Sequence, residues 1–234
     1  MPISRARRKP MVKGAQSIVK VLNLLELFSQ SSAELSVLEV ATALKMPKPT
    51  AHRLLSALVE RGYARQGRPG GPYALGPRII ALASAYNASQ PISRVAYPHM
   101  EALRKKLNET VGLYVRLNNT SRVLIERLES SHPMQVVMAP GVPMPLNAGA
   151  GGRVLGIDGK AMKSGSVIVT REERIPNACG IAAPILDHDG EIVAALDVAG
   201  PLDRFTPTAV KRYSGEVART ALLISKDLGY NRRA

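Results

Sequence analysis

Residues 36–62 contain the start and stop signals of two helices that are separated by a turn of only a few residues. Ser36 and Glu39 have the S-x-x-E spacing of a capping box, which opens a helix. Pro49 suits the first position of the next helix, and Gly62 suits the residue after its end. A turn this short sets the two helices at a steep angle, which is the geometry of a helix-turn-helix.

The segments on either side of this pair complete a winged helix-turn-helix. Apolar residues at helical spacing predict a helix over residues 18–28, ahead of the pair. Two short extended segments, residues 63–66 and 73–75, flank a loop rich in Gly and Pro and predict a β-hairpin. We therefore assign residues 14–76 to a DNA-binding domain and residues 77–91 to a linker helix that ends at Pro91.

The charge of the chain favours a polyanionic partner. Lys and Arg number 32 against 18 Asp and Glu, a net charge of +14, and residues 1–76 hold 12 basic and 4 acidic side chains. Residues 1–13 contain no acid and predict a flexible basic arm that can lie in the minor groove of double-stranded DNA. Its basic side chains include Arg5, Arg7, Arg8 and Lys9. Simple solubility is the alternative explanation of the charge.

The exposed face of the third helix is the strongest candidate for reading DNA bases. Its apolar face holds Ala51, Leu54, Leu55 and Leu58, and its other face holds Lys48, Thr50, His52 and Arg53. Arg can bind guanine through two N–H groups, and a Lys at a helix start suits a phosphate. The hairpin adds Arg65 and Arg68 as wing contacts. The alternative is the ordinary surface of a helical domain.

Residues 92–234 predict an α+β domain, in which helices pack on an antiparallel sheet. Asp189-Gly190 is a strong turn signal between extended segments at residues 181–186 and 191–199. Thr206 and Pro207 predict the start of the last helix. The remaining predicted elements are a helix at 94–108 and strands at 111–117, 122–128 and 134–138.

The sequence offers little for catalysis, metal binding or membrane insertion. It contains no G-x-S-x-G, H-E-x-x-H or P-loop motif, and its single cysteine, Cys179, excludes a multi-cysteine zinc site. No stretch approaches the ~18 consecutive apolar residues of a membrane span. We predict a cytoplasmic protein that is not an enzyme and has no cofactor, no metal and no membrane partner. The glycine-rich segment 149–152 either binds an anion through backbone N–H groups or is a plain loop.

Four stretches together resemble the IclR (isocitrate lyase regulator) family of bacterial transcription factors. They are SIVKVLNLL from Ser17, PKPTAHRLLSALVERGY from Pro47, YALG from Tyr73 and IAAPILDHDGEIVAALDVAGP from Ile181. The likeness extends over residues 14–228. It implies a winged helix-turn-helix joined by a linker helix to a GAF-like effector domain, residues 92–234. It also implies a homodimer, or a dimer of dimers, on a palindromic operator.

The resemblance further implies where a small organic effector, a carboxylate or a carboxylate-derived metabolite, would bind. Relatives with a small carboxylate ligand hold it by backbone amides at the positions of Ala150 and Gly151. The other pocket positions correspond to Thr170, Gly180, Asp197 and Ala199, with Cys179 one step away. Relatives have a hydroxyl at the position of Asp197, whereas an ionised Asp only accepts hydrogen bonds and favours a ligand with a donor group. The alternative is an Asp197 turned away to pair with Arg153 or Arg174.

One segment departs from the family. Between residues 156 and 165 relatives usually have a longer helical insert, so either the cover of the pocket is reduced or residues are missing from this sequence.

The predicted function is a DNA-binding regulator, a repressor or an activator, that responds to a small molecule. One alternative is a small-molecule-binding enzyme with an accessory helical domain. Another is a GAF-type sensor that acts through protein partners.

Overall fold

The computed structural model describes residues 16–30, 34–89, 91–157 and 162–231. The chain divides into two compact units between Ala85 and Tyr86, within the segment assigned to the linker helix. The predicted basic arm, with Arg5, Arg7, Arg8 and Lys9, lies outside the described residues, so its prediction stays one drawn from the sequence.

Three helices form the first part of the N-terminal unit: α1 (Gln16–Gln30), α2 (Val37–Ala43) and α3 (Lys48–Glu60). The capping box is confirmed, because the Glu39 N–H donates to Ser36 Oγ at 3.2 Å and the Ser36 N–H donates to Glu39 Oε2 at 2.7 Å. Gly62 follows the end of α3 with a φ of +76°, a value that glycine adopts readily. Pro49 is the second helical residue and not the first as predicted. Either position tolerates Pro, because N–H groups in a helix's first turn have no intrahelical acceptor.

The hairpin that follows is confirmed. Strand β1 (Ala64–Gln66) pairs antiparallel with β2 (Tyr73–Leu75), and Leu35, just before α2, forms a β-bridge with Tyr73. Leu24 of α1, Val40 of α2 and Leu55 of α3 are fully buried in the same apolar cluster as Tyr73. The N-terminal unit is therefore a winged helix-turn-helix around its own core.

Two helices follow, α4 (Arg78–Ser89) and α5 (Pro91–Leu107). The prediction that Pro91 ends the linker helix is wrong, because Pro91 is the first residue of α5. Pro is well suited to that position because its fixed φ matches the helix and its missing N–H is not needed there. Helix α5 therefore begins three residues before the predicted Arg94.

The C-terminal unit is an α+β domain built on one six-stranded antiparallel sheet, as predicted. Its order is β5-β4-β3-β8-β7-β6. The strands are β3 (Thr110–Arg116), β4 (Ser121–Leu128), β5 (Pro143–Pro145), β6 (Ile168–Arg171), β7 (Ala178–Leu186) and β8 (Ile192–Pro201). The turn between β7 and β8 contains Gly190 with a φ of +81°. Helices α6 (Ala150–Leu155) and α7 (Pro207–Asp227) complete the unit, and Thr206 caps α7 as predicted.

The predicted strand at residues 134–138 is wrong. These residues form no strand, although Val136 is buried. Strand β5 pairs only with residues 121–123 of β4, and the Met138 carbonyl accepts a hydrogen bond from the side chain of Arg127 on β4 instead of a backbone N–H. Residues 134–138 therefore lie beside the sheet as a wall and do not join it.

The sheet has two different faces because successive side chains of a strand point to opposite sides. On one face Ile181 and Ile185 of β7 and Leu196 of β8 lie in the apolar core shared with α5 and α7. On the other face Ala182 of β7 and Ala195 of β8 pack with residues of α6. The small residues of the second face leave space near α6.

A buried ion pair lies at one end of the central strands. Glu109, just before β3, is 1% exposed and accepts two hydrogen bonds from Arg204, at 2.7 Å each from Nε and Nη2. Arg204 follows β8, which is the neighbour of β3. The pair therefore joins the ends of two adjacent strands.

Arg204→Ala should lower the free energy of unfolding by about 3–5 kcal/mol, because it leaves the Glu109 carboxylate buried without its partner. The matched control is Arg219→Ala, which breaks a pair between Glu216 and an arginine whose side chain is 62% exposed. That change should cost no more than about 1 kcal/mol. Urea unfolding measures both. Equal losses would show that the Glu109–Arg204 pair contributes no more than a surface pair.

Candidate functional site

A cavity with polar and apolar lining residues lies between α6 and the sheet. The sheet contributes Thr170, Gly180, Asp197 and Ala199, and the α6 side contributes Gly149 and Ala150. Two arginines, Arg122 and Arg174, also line it, and its apolar wall includes Val136, Met138 and Ile175. The cavity therefore has a polar floor and an apolar side.

Strand register explains why the floor is open. Gly180 of β7 is paired with Thr170 of β6 on one side and with Ala199 of β8 on the other. These three residues lie in one row across the sheet, and two of them have almost no side chain. Cys179, one residue earlier, borders the cavity but belongs to the apolar core on the side of α5 and α7. Burial raises the pKa of its thiol, which disfavours a reactive thiolate.

Asp197 is the acidic group of the floor, and only 6% of it is exposed. Its Oδ2 accepts a hydrogen bond of 3.2 Å from the backbone N–H of Gly151, in the first turn of α6. Burial raises the pKa of Asp197 to about 6, and the charge of Arg122 is the main opposing influence. The family resemblance assigned the Gly151 amide to a ligand carboxylate. Here that amide binds the carboxylate of Asp197 instead.

Arg122 is a buried cation in the cavity wall, with 2% exposure. Its Nη1 donates to the carbonyls of Pro145 and Ala148, and its guanidinium lies 5.1 Å from the centre of the Tyr114 ring. Gly152 allows this placement, because a Cβ at that position would collide with the guanidinium. Burial lowers the pKa of Arg122 and raises that of Tyr114.

Glu173 organises the rim of the cavity. It accepts hydrogen bonds from Arg153 at 2.9 Å and from the Gly149 N–H at 3.0 Å. Arg153 is therefore the partner of Glu173, and the alternative that it pairs with Asp197 is wrong. Arg174 donates to Met144 Sδ at 2.6 Å and lines the cavity with Asp197.

Sequence reasoning missed Arg122 and Tyr114 as cavity residues, and it named Arg174 only as an alternative partner of Asp197. A signal for Arg122 exists in retrospect, because it shares one face of β4 with the buried Leu124. A charged residue at a core-facing position of a strand requires a partner or a ligand.

The candidate DNA-reading residues lie on the surface of the N-terminal unit. Ala51, Leu55 and Leu58 of α3 are buried as predicted, whereas Leu54 of the same face is only half-buried. On the opposite side of α3, Lys48, His52 and Arg53 are exposed and Thr50 is half-buried. Arg65 in β1 and Arg68 in the hairpin loop are also exposed. These side chains are thus available to a partner.

Comparison with known proteins identifies the family. Residues 17–68 match the sequence pattern of the IclR helix-turn-helix domain. Residues 84–167 and 160–226 match that of the C-terminal domain of the bacterial transcriptional regulator IclR. The chain belongs to the IclR family of bacterial transcriptional regulators. The two C-terminal matches meet at residues 160–167, beside the segment in which the sequence departs from the family.

Relatives match over nearly their whole length. The transcriptional regulator KipR of Bacillus subtilis is 26% identical in an alignment 247 positions long, with 92% of this chain and 98% of KipR covered. The transcriptional repressor IclR of Escherichia coli is 24% identical, with 94% and 95% covered. An IclR homologue from Microbacterium hydrocarbonoxydans, solved in complex with 4-hydroxybenzoate, has the same fold. Its TM-score is 0.75 at 22% identity, and 91% of this chain and 99% of that one are covered.

These relatives decide between the functions that the sequence left open. They are named transcriptional regulators and repressors, not enzymes. The chain is accordingly a transcriptional regulator with a DNA-binding domain, and the enzyme alternative is wrong. Among the described helices, none is both long and apolar enough to cross a membrane.

The raised pKa of Asp197 predicts a pH-dependent cost to stability. The folded chain binds the Asp197 proton more tightly than the unfolded chain does, so this group lowers stability as the pH rises from about 4 to about 6. The shift of this pKa from 3.8 to about 6 corresponds to a loss of roughly 3 kcal/mol in the free energy of unfolding once the pH exceeds about 6. Asp197→Asn removes the titrating group. Urea unfolding measures the free energy of unfolding of both chains. From pH 4 to pH 7.5, the value of the variant should rise by about that amount relative to the value of the unsubstituted chain. A constant difference across that range would contradict the assignment.

Proposed function

We propose that this regulator binds a palindromic operator and that a small organic effector in the cavity changes its affinity for that DNA. The exposed basic side chains on α3 carry the first half of the proposal. A helix with a buried apolar face and a free polar face is what a major-groove reader requires. The hairpin and the basic N-terminal arm add positive charge to the same domain.

Each DNA-binding side chain has a role that its chemistry suggests. Arg53 would bind guanine through two N–H groups, and Thr50 and His52 would contact bases or phosphates. Lys48 lies at the N-terminus of α3, where the helix dipole also attracts a phosphate. Arg65 and Arg68 would contact the backbone from the wing, and Arg5, Arg7, Arg8 and Lys9 of the arm would reach the minor groove.

The cavity supports the second half of the proposal. Its arginines, Arg122 and Arg174, favour a carboxylate or a carboxylate-derived metabolite, and a neighbour with the same fold is complexed with 4-hydroxybenzoate. The effector would contact Gly151 and six residues that line the cavity: Ala150, Thr170, Cys179, Gly180, Asp197 and Ala199. Effector and operator would each change the affinity for the other by one coupling free energy.

A homodimer, or a dimer of dimers, would match the two halves of a palindrome. Apolar side chains exposed on the helices of the N-terminal unit support self-association. Ile18 and Leu22 of α1 are 63% and 52% exposed, and Ile80 of α4 is 70% exposed. Such a regulator would act in the cytoplasm, where the chromosome is accessible.

Arg53→Ala should weaken binding to the cognate operator by about 1–3 kcal/mol and relax the base preference at one position. Arg61→Ala is the matched control, because Arg61 is exposed directly after the last residue of α3, far from its N-terminal half. Fluorescence anisotropy with operator and random duplexes measures both variants. If Arg53→Ala weakens both duplexes equally, Arg53 contacts only phosphate.

Footprinting of the DNA beside the chain's own gene tests the function as a whole. We expect a protected palindrome whose protection changes when an effector is added. A lack of sequence-specific protection would contradict the proposed DNA-binding function. Protection that responds to no small organic acid would contradict the effector response.

A further inference from the structure

The Asp197 carboxylate has unused acceptor capacity at the floor of the cavity. An ionised carboxylate has about four acceptor positions. Within the described residues, the Gly151 N–H is the one group that donates a hydrogen bond to it. Asp197 also lines the cavity, so its remaining acceptor positions are available to a ligand. A buried carboxylate with one donor gains stability when a second donor reaches it.

Arg122 offers the complementary group in the same cavity. The Nε atom of this buried guanidinium has no hydrogen-bond partner in the described part of the chain. A buried donor without an acceptor costs free energy until an acceptor arrives. A ligand carboxylate is a strong acceptor for a guanidinium.

The charges that line the cavity favour one negative charge on the ligand. Glu173 is paired with Arg153, and the charge of Glu172, which is exposed, is screened by water and salt. The floor and inner wall then contain two arginines, Arg122 and Arg174, and one carboxylate, Asp197. A ligand with one carboxylate balances this set.

A ligand carboxylate does not fit the α6 side of the cavity. The Gly151 N–H already donates to Asp197, so a ligand carboxylate would have to displace that side chain from its amide. Two carboxylates side by side in a buried site also repel each other. The carboxylate end of a ligand is therefore directed toward the arginines, and its other end toward Asp197.

We propose that Asp197 selects, as the effector, a small organic acid that also carries a hydroxyl or N–H donor. The donor binds Asp197, the acid binds Arg122 and Arg174, and the body of the ligand packs on Val136 and Ile175. This assignment rests on the proposed function, because it names the chemistry of the same cavity.

The test compares two ligands that differ only in the donor, 4-hydroxybenzoate and benzoate, by calorimetry on the full chain. The unsubstituted protein should bind 4-hydroxybenzoate at least about tenfold more tightly, the effect of one hydrogen bond to a charged group. Lactate and propionate form a second, aliphatic pair with the same expected order. Equal affinities within both pairs, or no binding of any of the four, would overturn the proposal.

Variants assign the preference to Asp197. Asp197→Ser and Asp197→Asn should each reduce the ratio of the two affinities about tenfold, and Asp197→Ser should bind benzoate more tightly than the unsubstituted chain does. The control Asp227→Asn removes a carboxylate from α7, on the other side of the sheet, and should keep the ratio. A ratio that survives both Asp197 variants would show that another group selects the ligand.

Operator binding, measured in the same samples, separates this inference from the proposed function. If 4-hydroxybenzoate binds with the expected preference but leaves operator affinity unchanged, the ligand assignment stands and the proposed regulation fails. If ligands change operator affinity without any preference for a donor, the regulation stands and the role of Asp197 fails.

Discussion

The alternation of side chains along β7 and β8 is the constraint on which the C-terminal unit depends. Ile181 and Leu196 point into the apolar core with α5 and α7, whereas Gly180 and Asp197 lie on the face that carries α6. A shift of one residue in β8 would move the Asp197 carboxylate into the core and Leu196 into the cavity, so the burial of one apolar face fixes the register. The pairing of β7 with β8 keeps this register from Ala178 to Ile185. Stability and ligand chemistry are thus set by the same register.

The polar groups of the cavity are held by different parts of the chain. Asp197 comes from the sheet, Gly151 from α6, and Arg122 from β4, where it bonds the carbonyls of the segment before α6. Because each group is fixed by a partner, the cavity keeps a defined arrangement of charge before any ligand binds. Preorganised charge is what allows a small site to distinguish closely related molecules.

Local signals were sufficient for the N-terminal unit and insufficient for the cavity. The capping box at Ser36 and the glycine at Gly62 act within one turn of chain, so the sequence predicted these helix boundaries well. The sequence predicts a strand at residues 134–138, but the Met138 carbonyl bonds the side chain of Arg127 on β4, a contact that the local sequence does not show. The bond between Asp197 and Gly151 spans 46 residues, so the sequence could place both near a pocket without showing that they bind each other.

The two walls of the cavity differ in how they are built. Its floor consists of β6, β7 and β8, of which β7 and β8 are hydrogen-bonded to a strand on both sides. The Glu109–Arg204 pair ties the end of β8 to that of its neighbour β3. Its apolar side comes from residues 134–138 and 174–178, of which only Ala178 belongs to a strand. Substitutions in the floor disturb the whole sheet, whereas those in the apolar wall change local shape alone. For the proposed effector response, this difference means that descendants of the chain can acquire effectors of new size and outline more easily than effectors of new polarity.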